Sequence, residues 1–464
     1  GGYLAFWQGV TDSHPAMALA VTGDQYGISW GNFGMRRMGE EPRATYNNRA
    51  SESADYKQVV DDPWFGCLSA ISTANDILNA LGDGITVDNG GDADKSLEAG
   101  ALFLRGIARG YVGLIFDRGY IVDEDTDLTQ TLEFRPYTEI IASAVSDMEA
   151  AIVVANTGGD DFSHGFFNGV TMDAAQVTAL AHSYAARFLT QWPRTEAENA
   201  TVNWTAVQSH ASQGIDFDFG PNADGNFWIS YHRWAFADTG QGGFWALVDQ
   251  RLVSAMDPSQ PSRYPTVNGT GASALTDSTM VSDDDRAESD FVFSADHGAM
   301  PVDRGEWHFS HYKHNRNLSD PGFSGDGSSS GPMPVFLAAD NDLLLAEAEL
   351  ALGNKATAVG IINAGTRVTR GNLAPLNATD ADAVVLEAIM YERAIELLST
   401  GPGGMWFDRR RVGPRVAFDA VGALDGLQLQ TPAQLPVPAV ELSLTGIAPY
   451  NFGGEQDPQG INAF

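Results

Sequence analysis

The sequence predicts a mainly α-helical chain of stacked antiparallel hairpins, interrupted by one loop-rich block. Three observations carry this. Apolar residues recur at three- and four-residue steps over both ends of the chain. From about 215 to 335 that period stops, and Gly, Ser, Asp and Pro take over. The 464 residues are 43% hydrophobic and 10% aromatic, enough to fill a large core.

Taken in order, Trp64, Cys67, Leu68, Ile71, Ala74, Leu78 and Leu81 form the first stripe, with Asp61 or Asp62 as N-cap and Pro63 in the first turn. Cys67 lies on this stripe and reads as a core residue. The stretch 97–116 is apolar on more than one face, which predicts a helix packed between others. Ile140, Ile141, Ala144, Val145, Met148, Ala151 and Ile152 make another stripe. Val177, Leu180, Ala181, Tyr184, Ala185, Phe188 and Leu189 make a further one, ending before Pro193. Residues 1–214 thus read as an N-terminal helical scaffold.

Residues 215–335 read as an aromatic, loop-rich insert, and so long an irregular block is usually functional or a cap. Helices resume near 339. One runs to Gly353, one spans about 355–367, and one holds Ala388, Tyr391, Ile395 and Leu398 before Gly401-Pro402-Gly403-Gly404. Residues 336–464 form the C-terminal scaffold and an irregular, Pro-rich tail. Helix pairs of about 30–40 residues predict a superhelix of tetratricopeptide-like hairpins, in one discontinuous domain.

Within the C-terminal third, Ala339-Asp340 through Ala346-Glu347-Ala348, then Asn363 and Arg367, resemble the SusD/RagB family of outer-membrane nutrient-binding lipoproteins. Ile389, Glu392-Arg393, Glu396-Leu397 and Trp406-Phe407-Asp408-Arg409-Arg410 resemble its second signature, and Leu435-Pro436-Val437-Pro438 with Glu441 its closing segment. Trp64 to Leu78 and Glu98 to Phe116 are similar to its N-terminal helices. Leu337, Gly401–Gly404 and Met405 depart from the family pattern and mark a distant member. The resemblance implies a lipid-anchored protein on the outer face of the outer membrane. It would capture a glycan or oligopeptide without chemistry and pass it to a SusC-like TonB-dependent transporter.

The residues themselves narrow the reading. A net charge of −33 repels phosphate backbones and anionic lipid heads, which excludes nucleic-acid binding through a basic surface and predicts a solvated acidic coat. It also favours a neutral glycan over a polyanionic one. The single cysteine excludes a disulfide framework and a multi-cysteine metal cluster. No run of about 18 apolar residues appears. The opening Gly-Gly-Tyr-Leu-Ala-Phe-Trp lacks the features of a signal peptide and reads as a mature or trimmed chain. No G-x-S-x-G elbow, P-loop or H-E-x-x-H occurs, so no catalytic residue is assigned.

The signature residues Glu347, Glu392, Arg393, Glu396, Asp408 and Arg410, mixed in sign, read as Arg–carboxylate pairs that lock helices in register. Ligand contacts are sought in the insert. Trp228, Tyr231, Trp234 and Trp245 offer flat faces for sugar rings, and Asn226 and Arg233 offer hydrogen bonds, as do Asn222, Asp224 and His232. Packing the insert onto the scaffold is the competing role for these rings. Tyr26, Trp30 and Phe33 are a second platform. No cofactor or metal is assigned. His308, His311 and His314 match neither one strand face nor one helix face. Asp283–Asp285 and the Asp216, Asp218, Asp224 set leave only a weak calcium reading, without EF-hand spacing. Two other classes stay open: a self-assembling surface protein, hence a homo-oligomer, and an α-helical glycan-degrading enzyme with a carboxylate pair.

Overall fold

A computed structural model describes residues 1–28, 31–49, 54–162, 166–232, 246–262, 279–294, 310–316, 330–417, 422 and 426–464. Short helices α1 (Gly2–Val10), α2 (Ser13–Thr22) and α3 (Met35–Gly39) lead into the long α4 (Ala54–Gly82), α5 (Asp92–Ile115), α6 (Tyr137–Ala155) and α7 (Ala174–Gln191). Consecutive members of α4–α7 pack side by side. Helix α5 sits between α4 and α6 and is buried all round from Ala99 to Ile115, as its unbroken apolar surface requires. A capping box starts α7: the Asp173 carboxylate accepts the Gln176 N–H and the Gln176 side chain accepts the Asp173 N–H.

Helix α4 corrects one expectation. It begins at Ala54, so Pro63 lies inside it rather than in its first turn. The turns before Pro63 carry Val59 and Val60, both fully buried, and that burial outweighs the hydrogen bond the proline removes. Helix α1 crosses α4 backbone on backbone at Gly9 and Gly66. A Cβ on Gly66 would stand 2.5 Å from the Gly9 Cα and 2.9 Å from the Ala5 carbonyl. Gly66→Val is therefore expected to cost about 1–3 kcal/mol in urea unfolding, because the two helices must part to admit the side chain. An unchanged midpoint would show that the crossing is not tight.

The stack continues through α8 (Glu196–Asn199) and α9 (Trp204–Ala211) into the C-terminal α12 (Ala338–Ala351), α13 (Lys355–Ala364), α14 (Thr366–Thr369), α15 (Asp382–Ile395) and α16 (Gly404–Arg409). Asn341 of α12 joins the halves: its side chain accepts from Ser183 Oγ at 2.9 Å and donates to the Ala211 carbonyl at 2.9 Å. Arg187 of α7 pairs with Asp340 beside it. The tail is irregular except for α17 (Ala439–Thr445), and it returns to α5, where the Leu435 N–H donates to the Ile115 carbonyl.

Strands occur only as two-stranded antiparallel ladders among the described residues. They are β1 (Tyr26–Gly27) with β5 (Leu247–Val248), β2 (Arg118–Gly119) with β3 (Arg135–Pro136), β4 (Asn222–Asp224) with β8 (Ser330–Pro332), and β6 (Phe291–Phe293) with β7 (Tyr312–His314). The β4–β8 ladder and the Phe219–Phe336 bridge lay the two ends of the 215–335 stretch side by side. Between them lie α10 (Gln250–Met256) and α11 (Arg286–Ser289).

Buried ion networks tie these helices together. Glu347 of α12 accepts from Arg393 at 2.6 Å and from Arg411 at 2.7 Å, and both arginines also reach Asp408. Arg411, not Arg410, fills the paired role expected of the signature. Arg410 instead donates to the carbonyls of Leu114, Ala433 and Gln191 and lies over the Trp406 and Phe407 rings. Glu392 of α15 and Glu396, which caps its C-terminal end, receive Arg286 from α11. Asn363 holds the following loop by bonding the Leu376 N–H and carbonyl at once. Arg367 has no carboxylate partner among the described residues, and its Nε donates to the Ala374 carbonyl. The Gly401–Gly404 departure has a local cause. Gly403 caps α16 at φ 77°, where a Cβ would meet the Phe407 ring at 2.7 Å.

Candidate ligand-binding surface

The turn after β4 is organised by one carboxylate. Asp224 Oδ1 accepts the backbone N–H groups of Asn226, Phe227 and Trp228 at 2.8–2.9 Å. Gathering three donors on one short acidic side chain curls the chain tightly and sends adjacent side chains opposite ways. Phe227 points outward and is 61% exposed, and Asn226 beside it is exposed as well. Trp228 turns inward and is half-buried.

Helix α1 supplies the wall behind this turn. Tyr3 and Trp7, one helical turn apart, face the insert. The Trp228 ring stacks on Tyr3 at 6.1 Å and meets Trp7 edge-on at 5.5 Å. Trp7 Nε1 donates to the Ile229 carbonyl at 2.6 Å, and Gln8 Nε2 to the Phe227 carbonyl at 3.0 Å. Phe166, also half-buried, lies near Tyr3 as well, its ring 6.2 Å away. The result is one exposed ring, half-exposed aromatic edges and the polar groups of Asn226, Asp224 and Gln8, all held by a rigid apolar base. Such a surface stacks on the C–H face of a sugar ring and offers amide groups to its hydroxyls.

The other expected contacts distribute differently. Tyr231 is corrected to a core residue: it is 1% exposed, and its hydroxyl donates to the Gly401 carbonyl at 2.9 Å. His232 is buried too, bonded to Ser230 and to the Ser399 carbonyl, and burial lowers its pKa to about 4. The period-2 alternation of a strand would have exposed one of the pair. Here the chain dives under the α15–α16 connection and both are enclosed. Arg233, Trp234, Trp245 and Trp30 lie outside the described residues. Tyr26 is buried, so it offers no face in the second platform, and Phe33 is half-buried.

The metal candidates resolve similarly. His308 lies outside the described residues, while His311 and His314 are buried. Asp218 accepts the Ala338 N–H and Asp284 holds Arg286, so these carboxylates already have protein partners. Among the described residues no group of three or more His, Cys, Asp or Glu side chains is arranged to hold a metal ion. Cys67 is buried, and burial pushes its thiol pKa up, away from thiolate chemistry. No helix among the described residues is long and apolar enough to cross a membrane.

Phe227, Tyr3, Trp7, Gln8 and Phe166 were not singled out by sequence. The available signals were the Asp-Gly-Asn turn before an aromatic pair and the four-residue spacing of Tyr3 and Trp7. Neither reveals that the two segments meet.

Known proteins resemble this chain in two ways. The sequence profile of the SusD family matches residues 269–435. Among solved structures, a SusD homolog from Bacteroides thetaiotaomicron aligns with a TM-score of 0.67 at 15% identity, covering 96% of this chain and 95% of its own. The surface glycan-binding protein A from Bacteroides uniformis aligns at 0.59 and 16%, covering 96% and 97%. A SusD-like carbohydrate binding protein from Bacteroides vulgatus aligns at 0.57 and 15%, covering 88% and 82%. No curated protein matches the sequence.

Proposed function

We propose, from the match of residues 269–435 to the SusD family and the SusD-like fold over nearly the whole length, that this chain captures a neutral glycan at the Phe227–Trp228 surface. The observation that carries the reading is the exposed Phe227 ring, fixed by the Asp224 turn on the Tyr3–Trp7 wall. An exposed aromatic on a rigid support binds at little entropic cost, because the ligand need not order it. Two of the structural neighbours are named for carbohydrate or glycan binding, which supports the same ligand class. The acidic exterior works against a polyanionic glycan.

The role is binding and hand-over rather than catalysis. The buried carboxylates Glu347, Glu392, Glu396 and Asp408 are held by arginines, which suits a structural lock and not a proton-sharing acid pair. The partner in this reading is a SusC-like TonB-dependent transporter, and the protein stands lipid-anchored on the outer face of the outer membrane. Co-purification of that transporter with the protein from membranes is the expected result, and recovery of the protein without one would remove the delivery role.

Titration calorimetry against neutral oligosaccharides tests the site. Phe227→Ala is expected to weaken binding about tenfold or more while leaving the unfolding midpoint unchanged, since the ring is already in water. Trp228→Ala should weaken binding comparably and also cost stability, because it strips a half-buried ring from Tyr3 and Trp7. Wild-type affinity in Phe227→Ala for every glycan that binds would remove this surface as the site.

A further inference from the structure

A second cavity lies away from the aromatic surface, among the C-terminal helices α12, α13, α14 and α15. Its volume is about 320 Å³, the lower end of the range used for small-molecule sites. The floor is apolar, made by Leu337, Leu343, Ile361 and Ile362. The charged groups lining it divide into two kinds. Glu392 and Glu396 are committed to Arg286 and Arg370, and Asp218 to the Ala338 N–H. Two others are uncommitted. Among the described residues the exposed Asp342 side chain makes no hydrogen bond or ion pair, and the half-buried Arg367 spends only its Nε, on the Ala374 carbonyl, with no protein partner on either terminal nitrogen.

These two stand on different helices, Asp342 on α12 and Arg367 on α14, and they line the same cavity. Among the described residues, a protein that pairs its other signature charges so thoroughly has left one acid and one guanidinium without a protein partner in one cavity with an apolar lining. An arginine fork matches a carboxylate in bidentate fashion, and a lone carboxylate matches an ammonium group. An aliphatic body between them would rest on Leu343, Ile361 and Ile362. We propose that this cavity binds a small zwitterion, an aliphatic amino acid or short peptide, with its carboxylate on Arg367 and its ammonium on Asp342. The site is independent of the glycan surface, and neither reading rests on the other.

The dipeptide Leu-Leu serves as the probe, in calorimetry at neutral pH and low salt, against its N-acetylated and C-amidated forms. Saturable one-to-one binding of Leu-Leu is expected, weakened about tenfold or more by blocking either end. Arg367→Gln and Asp342→Asn should each produce a similar loss, and the blocked peptides, measured on the unaltered chain, make the test even where a variant folds poorly. Phe227→Ala should bind Leu-Leu as the unaltered chain does. The proposal fails if Leu-Leu shows no saturable binding, if the blocked forms bind equally well, if both variants retain full affinity, or if Phe227→Ala abolishes the signal and so moves it to the aromatic surface.

Discussion

Arg286→Ala is expected to be among the most destabilising single changes in this protein, at about 3–5 kcal/mol in urea unfolding near neutral pH. The guanidinium is fully enclosed and meets Glu392 at 2.8 Å through two nitrogens, Asp284 at 2.8 Å and Glu396 at 3.1 Å, with the Tyr391 ring below it. Arg370 and Arg316 still serve Glu396 once Arg286 is gone. Glu392 and Asp284 lose the one cation they have among the described residues and remain buried, and an unpaired buried charge costs far more than the net worth of the pair. A small loss would show that the carboxylates are not left unpaired.

Glu347→Gln should cost a similar amount and leave a different pH signature. Burial alone raises the Glu347 carboxyl, but Arg411 and Arg393 outweigh that and hold it down to about 2. A group whose folded pKa lies below its unfolded value contributes stability above the unfolded pKa and loses it as pH falls through the folded one. From the ordinary value of 4.5 to about 2, Glu347 should therefore withdraw about 3 kcal/mol. The glutamine variant lacks this dependence. Unfolding curves of the two proteins should be far apart at pH 7 and converge near pH 2, and a constant separation across that span would contradict the assignment. The side chains at stake hold α12, α15 and α16 together, so the loss should appear as early exposure of Trp406, which is fully buried beside them.

The scaffold was legible because helices write their burial into sequence period. The all-round apolar run of α5 announced a helix enclosed by neighbours, and the stripe from Val177 to Leu189 announced α7 and its stop at Pro193. The aromatic surface proposed for ligand was only half legible. Asn226 and Trp228, expected there, do lie in the turn after β4, but the exposed ring is Phe227, while the expected Tyr231 is buried. Which of several aromatics reaches water is set by the curl around Asp224 and by Tyr3 and Trp7, more than 200 residues away in sequence.

The same division separates the charges. That Glu347, Glu392, Arg393 and Asp408 serve helix locking follows from their mixed sign at close spacing on helices, and composition alone established the acidic exterior. Which arginine answers each carboxylate was decided by tertiary structure. Arg411 and not its neighbour Arg410 reaches Glu347, since successive residues at a helix end point about 100° apart and only one direction faces α12. Arg286 comes to Glu392 from 106 positions away. Local period and composition are properties of neighbouring residues, so the sequence by itself determined the helices, the interrupted stack and the acidic coat. A partner across the fold depends on how separate elements dock, and the docking alone decided the aromatic surface and left Arg367 and Asp342 open over one cavity.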